Sequence, residues 1–194
     1  MLGKPIIAQV EDAMIDAIKT ANGLGYKLKS VETYGGQFDD DTFDIVRSLP
    51  AVWIAFAGTQ KPHAMNTERG RWKVPATFAV MCATRNVRGE RDTRHGSASE
   101  VGTYQMIADM HALFVNQDLN LPIDFIAPGQ VRTLFNTKVK GHALSVFAVE
   151  FHTAWIVTET QPDDLALLKM GMNYYLKPGD DVTDASDLVT LEGA

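Results

Sequence analysis

One cysteine, Cys82, stands in 194 residues, so no disulfide forms within the chain. Its setting, TFAVMCATRN, predicts a buried strand thiol behaving as a small hydrophobe, and a reducing interior such as a cytoplasm is expected. Long apolar runs are missing as well. None approaches the ~20 residues of a membrane helix, so no membrane partner is expected. Glu11, Asp12 and Asp16 break the first segment where a signal peptide needs its apolar centre. The glycines never fall into GxGxxG or GxxxxGK[ST], and there is no GxSxG elbow, HExxH helix or paired-cysteine zinc pattern. His63, His95, His111, His142 and His152 are scattered. Neither a catalytic set, a metal site nor a cofactor is therefore expected.

What is present suits a globular chain. Apolar residues make up 45% and charged residues 22%, ordinary values that argue against global disorder. The length suits one domain with an appendage. The net charge of −6 is unevenly placed. Residues 1–158 hold 16 basic and 16 acidic side chains and sum to zero. Residues 159–194 hold two lysines against eight carboxylates, and so carry the whole deficit. Within the first part, residues 61–94 hold eight basic and three acidic groups, a local excess of five positive charges.

Periodicity orders the elements. Ile7, Val10, Met14, Ala17, Ile18 and Ala21 recur at helical spacing, predicting a helix from about Pro5 to Ala21 stopped by Asn22-Gly23. A short strand is expected near Tyr26–Thr33. FDDDTFDIVRSLP then reads as a short helix capped by aspartates, which complement free N–H groups and the helix dipole. Strands follow at 51–60 and 71–86, with Pro75 disfavouring a central ladder position at that point. A long helix is predicted from Ser97 or Ser99 to about Asn116, with Val101, Tyr104, Ile107, Ala108, His111, Phe114 and Val115 on its apolar side. VRTLFNTKV and HALSVFAVEFHTAWIVT, separated by Lys140-Gly141, make a hairpin. The fold class is two-layer α+β, with a largely antiparallel or mixed sheet and two main helices packed on one face. Residues 1–158 form that domain. Residues 159–194 read as an acidic extension with weak periodicity, an assembly arm ordered when something receives it.

Two places hold candidate site residues. On the last strand of the hairpin, Phe147, Val149, Phe151 and Trp155 mark one face as core, together with Tyr104 and Phe114 of the long helix. The other face carries Leu144, Val146 and Ala148, then Glu150 and His152 side by side at roughly 7 Å spacing. A carboxylate beside an imidazole fits either a catalytic or metal site, or polar positions at a rim or a subunit contact. The second place is the arginine run Arg85, Arg88, Arg91 and Arg94. It has no interleaved stacking aromatic, so specific nucleic-acid binding is not expected, and a solvated loop or a protein contact remains. In the extension, Leu165, Leu168, Tyr174 and Tyr175 are apolar anchors for docking, with the arginine run as a candidate receiver.

PATFAVMCATRNVRGE, IAPGQVRTLFN and ALSVFAVEFHTAWIVT, with a long helix between the first two, resemble the Mu-like bacteriophage minor tail protein family. That family is similar to the tail terminators of long-tailed phages. The resemblance covers roughly residues 2–158 and carries no site residue over. It implies a structural virion subunit, assembled in the host cytoplasm, that self-associates into a hexameric ring at the head-proximal end of the tail. Its partners would be the tail tube protein and the head–tail connector or neck protein. Another tail or neck component, such as a tube or adaptor subunit, shares this architecture. An enzyme would gather histidines and carboxylates into one cleft, and a nucleic-acid module would show salt-dependent affinity for DNA.

Overall fold

The computed structural model describes residues 3–35, 47–65, 70–86, 94–96, 101–139, 142–159, 169–174, 183 and 185–190. It divides into two units, Met1–Thr158 and Glu159–Ala194.

The first unit is built on a six-stranded mixed sheet. Its strands are β1 (Ser30–Thr33), β2 (Ala51–Thr59), β3 (His63–Ala64), β4 (Arg71–Asn86), β5 (Ala127–Val139) and β6 (His142–Thr158). The order is β1-β2-β4-β6-β5, with β3 pairing the start of β4. Only β1 and β2 run parallel; the other pairs are antiparallel. Two helices, α1 (Ile6–Thr20) and α2 (Thr103–Phe114), pack against one face. This is the α+β arrangement the sequence predicts.

Helix α1 buries Val10, Met14 and Ile18 as one stripe with Ile15 beside them, the spacing of a helix lying on a sheet. Pro5 sits just ahead of the first turn at φ −56°, where its missing N–H is no loss. Lys19 in the last turn complements the helix dipole. Opposite the helices, alternate strand residues Val52, Ile54, Phe78, Val80, Cys82, Val149 and Phe151 complete the core. Phe114 and Phe151 meet edge to face at 5.3 Å, the favoured geometry for an aromatic pair. The second sheet face has a buried cluster of its own: Leu49, Ala51, Trp53, Met81, Ala83, Leu144, Val146 and Ala148.

Four sequence expectations need correction. The strand predicted near Tyr26–Thr33 is only Ser30–Thr33, while Tyr26 and Leu28 pack against the core from the preceding segment. Helix α2 begins at Thr103, because Gly102 adopts an extended conformation at φ −91°, ψ 156°. Its buried face is also rotated. Thr103, Met106, Met110 and Phe114 point inward, whereas Tyr104 is 45% exposed. Pro75 does lie in a ladder, paired with Ala154. Its carbonyl accepts the Gln60 N–H at 2.9 Å, so its backbone polar edge faces away from β6 and β4–β6 loses no hydrogen bond there. On the β2 side pairing begins after it, at Ala76. The aspartate-capped helix expected after Phe38 falls largely outside the described residues, although Arg47 and Ser48 are helical.

The second unit contains a two-stranded antiparallel sheet, β7 (Lys169–Tyr174) with β8 (Ala185–Thr190), in register from Lys169↔Thr190 to Tyr174↔Ala185. The sequence reading anticipated no strands there.

Truncating a large buried aromatic side chain costs ~3–5 kcal/mol, so Phe151→Ala should lower the urea midpoint severely. Ile156→Ala, at a position 44% exposed, should stay within ~0.5 kcal/mol of wild type. Equal midpoints for the two variants would show that the wrong face of β6 has been assigned to the core.

Burial, with the Asp109 charge second, pushes the Cys82 thiol up to about 12. The nucleophilic thiolate is then scarce at neutral pH. Iodoacetamide should leave the native protein unmodified at pH 8 and label it once in denaturant. Stoichiometric labelling of the folded chain would contradict the burial of this strand.

Candidate functional site

Glu150 and His152 lie on the sheet face opposite the helices. The ladder sets Ala79 beside Glu150 and Thr77 beside His152. Small Ala79 leaves room for the carboxylate. Thr77 supplies a partner for the imidazole: its Oγ1 is 3.0 Å from His152 Nδ1. Glu150 pairs with the neighbouring strand instead, its Oε1 3.4 Å from Arg132 Nη2. With Arg132 largely exposed, that ion pair contributes at most ~1 kcal/mol. Each residue thus has a separate partner from a different strand.

The reason for this arrangement lies in β5. Pairing with β6 shifts register between Pro128 and Val131, so Gly129 and Gln130 together oppose Glu150. This is a bulge: one extra residue re-aims the strand. Gly129 comes so close to β6 that a Cβ there would stand 2.5 Å from His152 Nε2, 2.8 Å from Glu150 Cβ and 2.9 Å from the Glu150 carbonyl oxygen. Only glycine permits that approach. Glu150 and His152 therefore form a polar patch roofed by the bulge backbone. Among the described residues no three His, Cys, Asp or Glu side chains gather as a metal set would.

The arginine run is divided. Arg85 is the last residue but one of β4, Arg94 lies in a short segment packed against α2, and Arg88 and Arg91 fall outside the described residues. The segment at Arg94 is fixed by contact. A Cβ on Gly102 would collide with the Arg94 carbonyl oxygen and the Gly96 nitrogen, and His95 meets the Tyr104 ring edge-on at 5.2 Å. Tyr104 in turn meets Phe147 at 5.7 Å. Inside, Thr103 Oγ1 lies 3.3 Å from Ser145 Oγ, tying the start of α2 to β6. Leu165, Leu168 and Tyr175 lie outside the described residues, and Tyr174 ends β7 opposite Ala185.

Arg85 and His95 meet at a solvent-open cavity of about 620 Å³ between the α1–β1 connection and the start of α2. Lys27 and Lys29 line it too, as do Tyr26 and Asp109. Sequence reading passed over both lysines, which sit far from the arginine run. Thr77, Arg132 and Gly129, the partners of the Glu150–His152 patch, were also missed, although Gly129 and Arg132 stand within the IAPGQVRTLFN segment.

Known proteins match this unit in sequence. Residues 6–156 match the family described as Bacteriophage Mu, Gp37. The chain belongs to that phage Mu gp37 family. A curated relative, the Mu-like prophage FluMu protein gp37 of Haemophilus influenzae, is 26% identical over 160 residues, covering 82% of this chain and 75% of its own. The family match spans both helices and every strand of the sheet, and it ends two residues before β6 does.

The bulge makes a direct prediction for this gp37 family member. Gly129→Ala forces backbone or His152 to move and should cost ~1–3 kcal/mol by urea denaturation, the usual range for overpacking. Gly3→Ala, where an added Cβ meets nothing within 4 Å, should be neutral. A neutral Gly129→Ala would mean that β5 does not close over this patch.

Proposed function

We propose that this gp37 family member is a structural virion protein: a tail terminator that forms a ring at the head-proximal end of the tail tube. Such a ring ends tube polymerisation and presents a surface to the head connector. Family membership over residues 6–156 carries the reading. The geometry supports it in two ways. Glu150 and His152 are held by separate neighbours, as polar positions on a sheet face rather than as an acid–base pair. The β4–β6 ribbon also ends in exposed apolar side chains on both faces: Trp72 (47%) beside Val157 (47%), with Ile156 (44%) behind. Exposed apolar clusters of that kind suit subunit contacts. The acidic second unit, with eight carboxylates against two lysines, is assigned here as an assembly element that docks on a neighbouring subunit or on the next ring.

Purified full-length protein should form closed rings of one size by light scattering and negative-stain imaging, and added tail tubes should carry one ring at one end. Continuous tubes grown from this protein alone would make it a tube subunit. Removing residues 159–194 should weaken ring assembly and tail joining, while charge reversal at Arg94 should weaken them less, because exposed ion pairs orient more than they bind. Full-sized, tail-joining rings of the truncated chain would refute the arm's role.

A further inference from the structure

The cavity beside α2 holds more positive charge than the fold uses. Lys27, Lys29 and Arg85 line it against a single carboxylate, Asp109, which accepts a hydrogen bond from the Gln105 side-chain amide at 2.9 Å. Among the described residues the ion pairs of this unit join Lys4 to Asp12, Lys73 to Asp124 and Arg132 to Glu150. None of them engages the three cavity cations. Lys29 reaches only the Arg47 carbonyl, at 3.5 Å. Lys27 and Lys29 are exposed and Arg85 half-buried, so water screens their mutual repulsion, yet an anion entering this concave surface meets all three.

A second observation points the same way. Among the described residues the Tyr26 hydroxyl, buried at this cavity, has no partner at good hydrogen-bond geometry. Burial first, and then a long, off-geometry approach of the Asp109 carboxylate, raises the phenol above its ordinary range. The phenol therefore stays protonated, a buried donor lacking an acceptor, which is costly unless something supplies one.

Size and lining narrow the class. About 620 Å³ is the scale of a small-molecule site and far exceeds one inorganic anion. Apolar Leu49, Pro50 and Val101 share the wall with the polar groups. We propose that this cavity binds a phosphomonoester carried on a planar or apolar body of nucleotide size. Lys27, Lys29 and Arg85 take the phosphate, Arg85 through its two-pronged guanidinium, and the Tyr26 hydroxyl donates to a ligand oxygen. Asp109 is the acceptor for a hydroxyl or amino group on the body. This inference stands apart from the tail role, since it concerns a pocket within one subunit.

Calorimetry on the full-length protein with adenosine monophosphate, inorganic phosphate and a short DNA duplex tests it. The nucleotide should bind saturably with a sub-millimolar Kd, and inorganic phosphate should bind more weakly and compete. Lys27→Gln with Arg85→Gln should weaken the nucleotide by on the order of tenfold or more, the scale of a lost charge-assisted contact, with an unchanged melting temperature. Tyr26→Phe should weaken it less. Absence of saturable binding overturns the proposal, as does binding indifferent to the double variant. Phosphate binding as tight as the nucleotide would overturn the need for a larger body. Duplex DNA bound more tightly than the nucleotide, and lost in the same variant, would make the cavity a nucleic-acid contact instead. Ring assembly, followed in the same preparations, reports separately on the tail reading.

Discussion

The β4–β6 ladder is the constraint on which the rest depends. Every residue of β4 from Arg71 to Asn86 has a partner on β6, in register from Thr158 back to Ala143. Because strand side chains alternate, a slip of one residue would exchange the two faces along the whole ribbon. Val80 and Val149 would leave the helices, while Met81 and Ala148 would leave the second cluster. Burial on both faces therefore pins the register. The same register brings Thr77 to His152 and sets Ala79 against Glu150, so the polar patch follows from core packing and needs no separate explanation.

Glycine decides where the ladder's surroundings come close. Gly129 lets β5 settle over Glu150 and His152, and Gly102 lets the Arg94–Gly96 segment rest on the start of α2. The two positions act alike. Each replaces a side chain with close backbone contact, Gly129 against the neighbouring strand and Gly102 against a segment shortly before it in the chain. That is how the Arg94–Gly96 segment is placed, by the ring contact of His95 with Tyr104 and by close backbone approach.

Much of the fold was legible because its strongest signals are local. Alternation over 51–60, 71–86 and 142–158, with Lys140-Gly141 between two apolar runs, marks the central strands and the hairpin without tertiary information. Helix α2 was harder. Two stripes share Phe114: Tyr104–Ile107–His111 and Thr103–Met106–Met110. Tyr and His look apolar enough on a wheel to compete with Met, and only the sheet beneath selects the second stripe. Its start was obscured because Gly102 is excluded from the helix by a contact with residues 94–96, which no periodicity reports. The site was less legible still. His152 and Thr77 are 75 positions apart, and the bulge that brings Arg132 within reach of Glu150 shifts a register that an ideal hairpin would have kept.

Charge counted along a chain and charge gathered in space are different quantities, and the cavity shows the difference. The arginine run gives residues 61–94 their local excess, yet its members part company in the fold: Arg85 turns toward Lys27 and Lys29, while Arg94 packs beside α2. Solvent-exposed charges of either sign contribute little to binding unless they are desolvated and oriented. Orientation comes from the scaffold. The end of β4 carries Arg85 to a concave wall made by the α1–β1 connection and the first turns of α2, where Lys27 and Lys29 also stand. At the other end of the same strand, Trp72 and Val157 present apolar area flanked by Arg71 and by the Lys73–Asp124 ion pair. One strand thus separates two kinds of surface, and the two proposals divide between them: an anion at one end, and at the other the larger, less directional burial of a subunit contact.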